Sequence, residues 1–274
     1  MKPFQAPAIG IFDSGVGGLS VLRAVRSLLP CHPLIYLADQ AHVPYGAHSR
    51  EEVRAFSEGI TRFLLEKGAQ IIVVACNSAS AAALHPLRES LPEVPFVGME
   101  PAVKPAAAAT QSGVIGVLAT PVTFQGELYA SVVERFARDV KVLQDACPGL
   151  VQQIEAGQLN SPETRAILER ALNPMLAQGA DTVVMGCTHY PFVIPLIEEI
   201  AGPSVQVIDP APAVARQTSR MLESRELLVK NCAQPAGITL YTTGDPYLME
   251  EMLPTLLRKD LVVQYAKWES GILH

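Results

Sequence analysis

No run of lysine or arginine occurs in this sequence, and its formal net charge is −6. Binding to a phosphate backbone draws on clustered positive charge, so the chain is not expected to bind nucleic acid. No apolar stretch approaches the roughly 18 residues that cross a bilayer as a helix, so no membrane contact is expected. The N-terminal MKPFQAPAIGIFD has no long apolar run after Lys2, and a secretory signal is not expected either. There is no Cys-x-x-Cys pair, which argues against a zinc site or a thioredoxin-like redox centre. The five cysteines (Cys31, Cys76, Cys147, Cys187 and Cys232) are an odd number at wide spacing, in a chain too large to need stapling. A disulfide framework is therefore a poor fit, and a reducing cytoplasm a better one.

What is present is apolar material in short units. Of the 274 residues, 49% are hydrophobic, enough for a large buried core. Strands are predicted at 8–13, 34–39, 71–76, 96–99, 114–120, 140–145, 182–187, 205–209 and 238–243, all short runs rich in β-branched residues. Between them lie segments such as LSVLRAVRSLL, apolar at helical spacing. Ser49 before Glu51 and Glu52 marks a helix start, and Gly68 its stop. Strands buried on both faces and joined by helices imply a mostly parallel sheet.

The chain also repeats itself. IGIFDS at 9–14 is matched by IGVLAT at 115–120, and LIYLAD at 34–39 by VKVLQD at 140–145. VVACNSAS then meets VVMGCTHY, aligning Cys76 with Cys187, and EPA at 100–102 meets DPA at 209–211. Matches in the same order predict an α/β fold of two pseudosymmetric domains, each a mostly parallel sheet flanked by helices. The first domain is expected to comprise 1–98 plus 213–274, and the second 99–212.

Ligands of α/β sheets bind outside the carboxyl ends of strands, where helix N-termini converge. ACNSAS and GCTHYP both fall there, each with a thiol on a strand-to-helix turn followed by a polar residue. A single cysteine beside a strand is usually a small buried hydrophobe. Two at equivalent points of a repeat call for another reading. If the halves face each other, one thiol removes a proton from one face of a carbon while the other delivers one to the opposite face. DSGVGGLSVL (13–22) is Gly-rich after a strand but fits neither the dinucleotide fingerprint nor a P-loop, so a tight turn near a small ligand is the better reading. Asp13 either caps a helix or assists a thiol. HVPYGAHS (42–49) offers a phenol and backbone amides, and His189 lies within reach of Cys187 in sequence. Glu155, taken alone, reads as a solvated helix face.

Taken together, IGIFDSGVGGLSVL, YLADQAHVPYG, VVACNSAS, VIGVLAT, CPGLVQQIEAG, VVMGCTHYP, VIDPA and YTTGDP resemble the glutamate racemases of the cofactor-independent aspartate/glutamate racemase superfamily, along nearly the whole chain. The resemblance implies an active site between two α/β domains, glutamate as substrate, and neither cofactor nor metal. It makes Cys76 and Cys187 the acid/base pair, with Cys76 taking the proton from D-glutamate and Cys187 from L-glutamate. Asp13 and His189 would assist these thiols, and Glu155 would be a further site carboxylate. It also implies substrate contacts from Asp13, Ser14, Tyr45, Gly46, Asn77, Ser78, Thr188 and His189. Ser78 stands where the family has threonine, which keeps the hydroxyl and loses a methyl. A cytoplasmic role in peptidoglycan synthesis, and an assembly that includes the homodimer, accompany the resemblance.

Other readings are distinguishable. A pyridoxal-phosphate racemase needs a Schiff-base lysine, and no lysine lies in the strand-end motifs. An aspartate racemase would share the two-thiol logic and differ in substrate. A non-catalytic binding protein would leave both thiols unemployed, and a thiol hydrolase would leave one.

Overall fold

The computed structural model describes residues 6–274; the first five residues of the stretch read for a signal lie outside them. The chain divides into two compact units, one of residues 1–99 with 211–274 and one of residues 100–210.

In the first unit, β1 (Ala8–Asp13), α1 (Leu19–Leu28), β2 (Leu34–Ala38), α2 (Arg50–Glu66), β3 (Ala69–Val74), α3 (Asn77–Ser90) and β4 (Phe96–Gly98) alternate. The second unit contains α4 (Val103–Ala109), β5 (Val114–Leu118), α5 (Pro121–Phe124), α6 (Glu127–Phe136) and β6 (Lys141–Asp145). It continues with α7 (Leu150–Glu155), α8 (Pro162–Leu176), β7 (Thr182–Met185), α9 (Ile194–Ala201) and β8 (Gln206–Ile208). The chain then returns to the first unit with α10 (Ala211–Ser224), β9 (Ile238–Thr242), α11 (Pro246–Leu257), β10 (Val263–Tyr265), β11 (Trp268–Glu269) and β12 (Ile272–Leu273).

The first sheet is wholly parallel, in the order β10-β9-β2-β1-β3-β4. The second, β6-β5-β7-β8, is parallel too. Numbered within its own half, each four-stranded core therefore runs second-first-third-fourth. Strands β3 and β7, which lead to Cys76 and Cys187, occupy the same place in that order. The burial of β1, β2 and β3 on both faces explains why their sequences read as continuous apolar runs.

Helices line the sheets in separate groups. In the first unit α1 packs with α10 and α11, and α2 packs with α3. In the second α4 packs with α6, and α8 with α7 and α9. Matched glycines show how close this packing is. A Cβ on Gly10 of β1 would stand 2.9 Å from Ala69 Cβ and from Ile72 Cδ1, and one on Gly116 of β5 would stand 2.6 Å from Met175 Sδ of α8. Helix α2 begins in a reciprocal capping box between Ser49 and Glu52 and ends before Gly68, whose φ is +96°.

One disulfide joins Cys31 to Cys232, leaving Cys76, Cys147 and Cys187 as free, buried thiols. The expectation of uniformly reduced cysteines fails at this pair. The residues lie 201 positions apart, and the α10–β9 connection meets the α1–β2 turn there. Among the described residues no helix is long and apolar enough to cross a membrane.

Candidate active site

In the first unit the polar residues gather at the carboxyl end of the sheet. Pairing of β1 with β3 is extended by the Ala75 N–H, which donates to the Phe12 carbonyl at 2.8 Å. The next residue, Cys76, has an extended backbone and is the N-cap of α3. The turn is locked from behind: the Ser80 hydroxyl donates to the Val74 carbonyl at 3.1 Å and accepts the Met99 N–H at 2.9 Å. Cys76 is 5% exposed, and its sulfur lies 4.0 Å from the Ser14 hydroxyl.

Asn77 and Ser78 open the helix and are buried. Neither amide atom of Asn77 has a hydrogen-bond partner. A buried primary amide left unsatisfied costs free energy unless a ligand or water meets it, and the positive end of the 14-residue α3 lies beside it. Asp13 is fully buried, and one of its oxygens accepts the Gly18 N–H at 2.8 Å, at the start of α1. Gly18 is itself the N-cap residue of α1, and the helix has no side-chain cap, so this bond braces the turn before the helix and does not cap it.

The loop after β2 contributes a 3₁₀ turn over Tyr45–Ala47, preceded by a cis Val43–Pro44 peptide. The Tyr45 phenol is committed: it donates to Asp39 Oδ2 at 2.7 Å. Burial, then the charge and hydrogen bond of Asp39, push the phenol well above its ordinary range, with smaller contributions from Cys76 and Asp13. Tyr45 therefore stays neutral and lies within electrostatic reach of both strand-end groups.

In the second unit, the Gly186 N–H donates to the Leu118 carbonyl at 2.7 Å and leads β7 into Cys187. Cys187 Sγ lies 3.7 Å from His189 Nδ1, and His189 Nε2 lies 2.6 Å from Glu155 Oε1 at the end of α7. Glu155 is not on a solvated face: its side chain is 12% exposed, and that of His189 2%. Burial alone would lower the imidazole's pKa. Hydrogen bonds to Cys187 and Glu155, with their charges, outweigh it and hold His189 well above its ordinary value. The protonated ring is thereby favoured, and in that form it donates to sulfur on one side and to carboxylate on the other.

Thr188 is buried between the two. Tyr190, also buried, donates to the Ala146 carbonyl at 3.2 Å. The third free thiol, Cys147, is pushed far above the ordinary range by burial and then by Asp145, so it remains protonated. No set of three His, Cys, Asp or Glu side chains among the described residues is placed to hold a metal ion.

The expected residues thus form two groups, each inside its own unit: Asp13, Ser14, Tyr45, Gly46, Cys76, Asn77 and Ser78 in one, and Glu155, Cys187, Thr188 and His189 in the other. Asp39, which grips Tyr45, was not singled out beforehand. Its counterpart in the repeat, Asp145, pairs with the backbone N–H of Cys147 at 2.7 Å, and this matched pair of strand-end carboxylates was the available signal.

The model of the Asp/Glu/hydantoin racemase family matches residues 19–218. The glutamate racemase of Pseudomonas aeruginosa PAO1 is 54% identical over 252 residues, covering 92% of this chain and 94% of the relative. The Escherichia coli glutamate racemase, solved in complex with L-glutamate and the activator UDP-MurNAc-Ala, superposes with a TM-score of 0.82 at 31% identity, covering 95% of this chain and 97% of that one. The Francisella tularensis enzyme in complex with D-glutamate gives 0.81 at 26% identity, covering 96% and 98%.

Proposed function

The chain belongs to the Asp/Glu/hydantoin racemase family and is an amino-acid racemase; from that premise we propose that it interconverts L- and D-glutamate with Cys76 and Cys187 as its two bases. The observation that carries this reading is the equivalent placement of two free, buried thiols, each directly beyond the third strand of the same four-strand order. Relatives solved with L-glutamate and with D-glutamate support the choice of substrate.

In the L-to-D direction Cys187 thiolate takes the α-proton, and the electron pair left on Cα is delocalised toward the α-carboxylate. The Cys76 thiol gives its proton to the opposite face, so the cycle ends with Cys187 protonated and Cys76 a thiolate. The D-to-L direction reverses both transfers. The α-C–H of an amino acid is a very weak acid, so the developing charge has to meet fixed donors in a site that excludes water. The unpartnered Asn77 amide and the first turn of α3 serve that role beside Cys76. On the other side the His189 imidazolium, held by Glu155, keeps a hydrogen-bond donor directed at the Cys187 sulfur. Asp13, Ser14, Ser78, Thr188 and the Tyr45–Gly46 turn complete the substrate contacts. The product D-glutamate would serve peptidoglycan synthesis in the cytoplasm.

Incubation with L-glutamate in deuterated water tests this, with rotation and α-deuterium followed together and aspartate as control. Loss of rotation with one deuterium at Cα is expected for the wild type and for Cys147→Ala, whose thiol is held protonated. Cys76→Ala and Cys187→Ala are expected to lose two-way turnover. Full racemisation by either variant would sink the two-base mechanism, and activity on aspartate alone would replace the substrate.

A further inference from the structure

A carboxylate outside the proposed reaction has four close side-chain partners in the first unit. Asp39, fully buried just beyond β2, receives four donors. Oδ2 accepts from the Tyr45 phenol at 2.7 Å and lies 2.9 Å from His42 Nδ1. Oδ1 accepts from the Thr243 hydroxyl and from the Trp268 indole N–H, both at 2.8 Å. A carboxylate offers about four lone-pair sites, so both oxygens are saturated. Burying a charge is tolerable only with this kind of satisfaction.

The donors come from three places: the loop after β2, the residue that follows β9, and β11. An aromatic stack fixes their geometry. The His42 ring lies on Phe56 with centroids 3.8 Å apart and planes 15° from parallel, and Trp268 meets His42 edge-on at 5.6 Å. Trp268 is seated where α2 has no side chain: a Cβ on Gly59 would stand 2.6 Å from its ring.

We propose that Asp39 is a positioning residue that holds the Tyr45–Gly46 turn in register for the substrate, and that Trp268, more than two hundred residues later, sets Asp39. The inference rests on the reading of Tyr45 and Gly46 as substrate contacts. Without the indole N–H, Oδ1 keeps a single donor in dry surroundings, the carboxylate is free to turn toward another partner, and the phenol loses its fixed acceptor. The substrate turn then samples other positions. The free-energy cost falls on binding, before any proton moves.

The test is steady-state kinetics on both enantiomers for wild type, Trp268→Phe, Tyr45→Phe and the double variant. Trp268→Phe keeps an aromatic ring and removes the donor. Its KM is expected to rise about three- to tenfold for L- and D-glutamate alike while kcat stays within about twofold, the pattern of lost uniform binding. In the double variant KM should rise no further than in the worse single variant, because both changes act on one contact. Thr243→Val removes the other Oδ1 donor with little change of shape and is expected to raise KM in the same way, which covers failure of the tryptophan variant to fold. Unchanged KM in both donor variants, or KM effects that multiply in the double variant, would overturn the proposal. A wild type that does not racemise glutamate would instead overturn the functional reading on which it rests.

Discussion

Oε1 of Glu155 lies 2.6 Å from Nε2 of His189, so the imidazole facing Cys187 is gripped from behind by a carboxylate thirty-four residues earlier in the chain. The carboxylate and the sulfur together favour the charged ring in a place where burial alone would disfavour it.

Glu155→Gln removes that charge and keeps the shape. Racemisation is expected to fall on the order of 10²-fold, the lower range for an assisted proton transfer. The alkaline limb of the pH–rate profile should move to lower pH, because His189 then loses its proton sooner. Stability carries the same sign. A raised folded-state pKa contributes stability that is fully present below the ordinary histidine value of 6.5 and is lost as pH climbs through the folded value. Melting curves should separate wild type from variant most just below pH 6.5 and progressively less toward alkali. Parallel pH profiles for the two proteins would refute the assignment.

The Cys31–Cys232 bridge is expected to matter for stability and not for turnover. Cross-links of long loops typically contribute about 2–4 kcal/mol. Urea unfolding of the Cys31→Ser/Cys232→Ser variant should show a loss of that size, with initial racemisation rates unchanged. The adjoining His32 also fastens this connection, facing the Pro7 carbonyl at 2.9 Å and accepting the Val229 N–H at 3.1 Å, so the segment should stay folded when reduced. A large fall in activity on reduction would show that the bridge reaches the site.

At the amino end of β7, Asp181 accepts hydrogen bonds from the Thr110 hydroxyl and the Gln111 and Ser112 N–H groups at 2.6–2.8 Å. Partial burial would raise its pKa, but these donors, with Thr182, hold it at about 2. A depressed pKa contributes stability that is present above the ordinary 3.8 and is lost as pH falls through the folded value. Asp181→Asn should therefore lower the melting temperature at pH 7, by an amount that shrinks when the comparison is repeated toward pH 3. Racemisation should be unaffected, since the residue sits at the opposite end of β7 from Cys187. A gap that widens in acid would contradict the hydrogen-bonding account.

Strands of the sheet interiors were legible because burial on both faces leaves no room for polar alternation. The prediction for β1 matches the observed Ala8–Asp13, and those for β3 and β7 differ from the structure only at their ends. Strands β10, β11 and β12 were not anticipated. They are two or three residues long, and Tyr265 and Ile272 face solvent, so no periodicity marks them. The equivalence of Cys76 and Cys187 could be read from the repeat, since local sequence and strand order agree there. The links of Asp39 to Thr243 and Trp268, and of Cys31 to Cys232, span some two hundred residues and leave no local pattern at either end.

Strand β2 lies in the sheet interior, with β1 on one side and β9 on the other, in register from Leu34 opposite Ile238 to Ala38 opposite Thr242. Its second neighbour is made only after the whole of the other unit has been synthesised. During translation, a nascent chain that stops short of β9 carries LIYLA as an open sheet margin with unpaired backbone groups, the template on which chains pair with one another. Ribosome stalling anywhere within residues 39–237 therefore produces a species prone to aggregate, and chaperone dependence should be greatest over that interval.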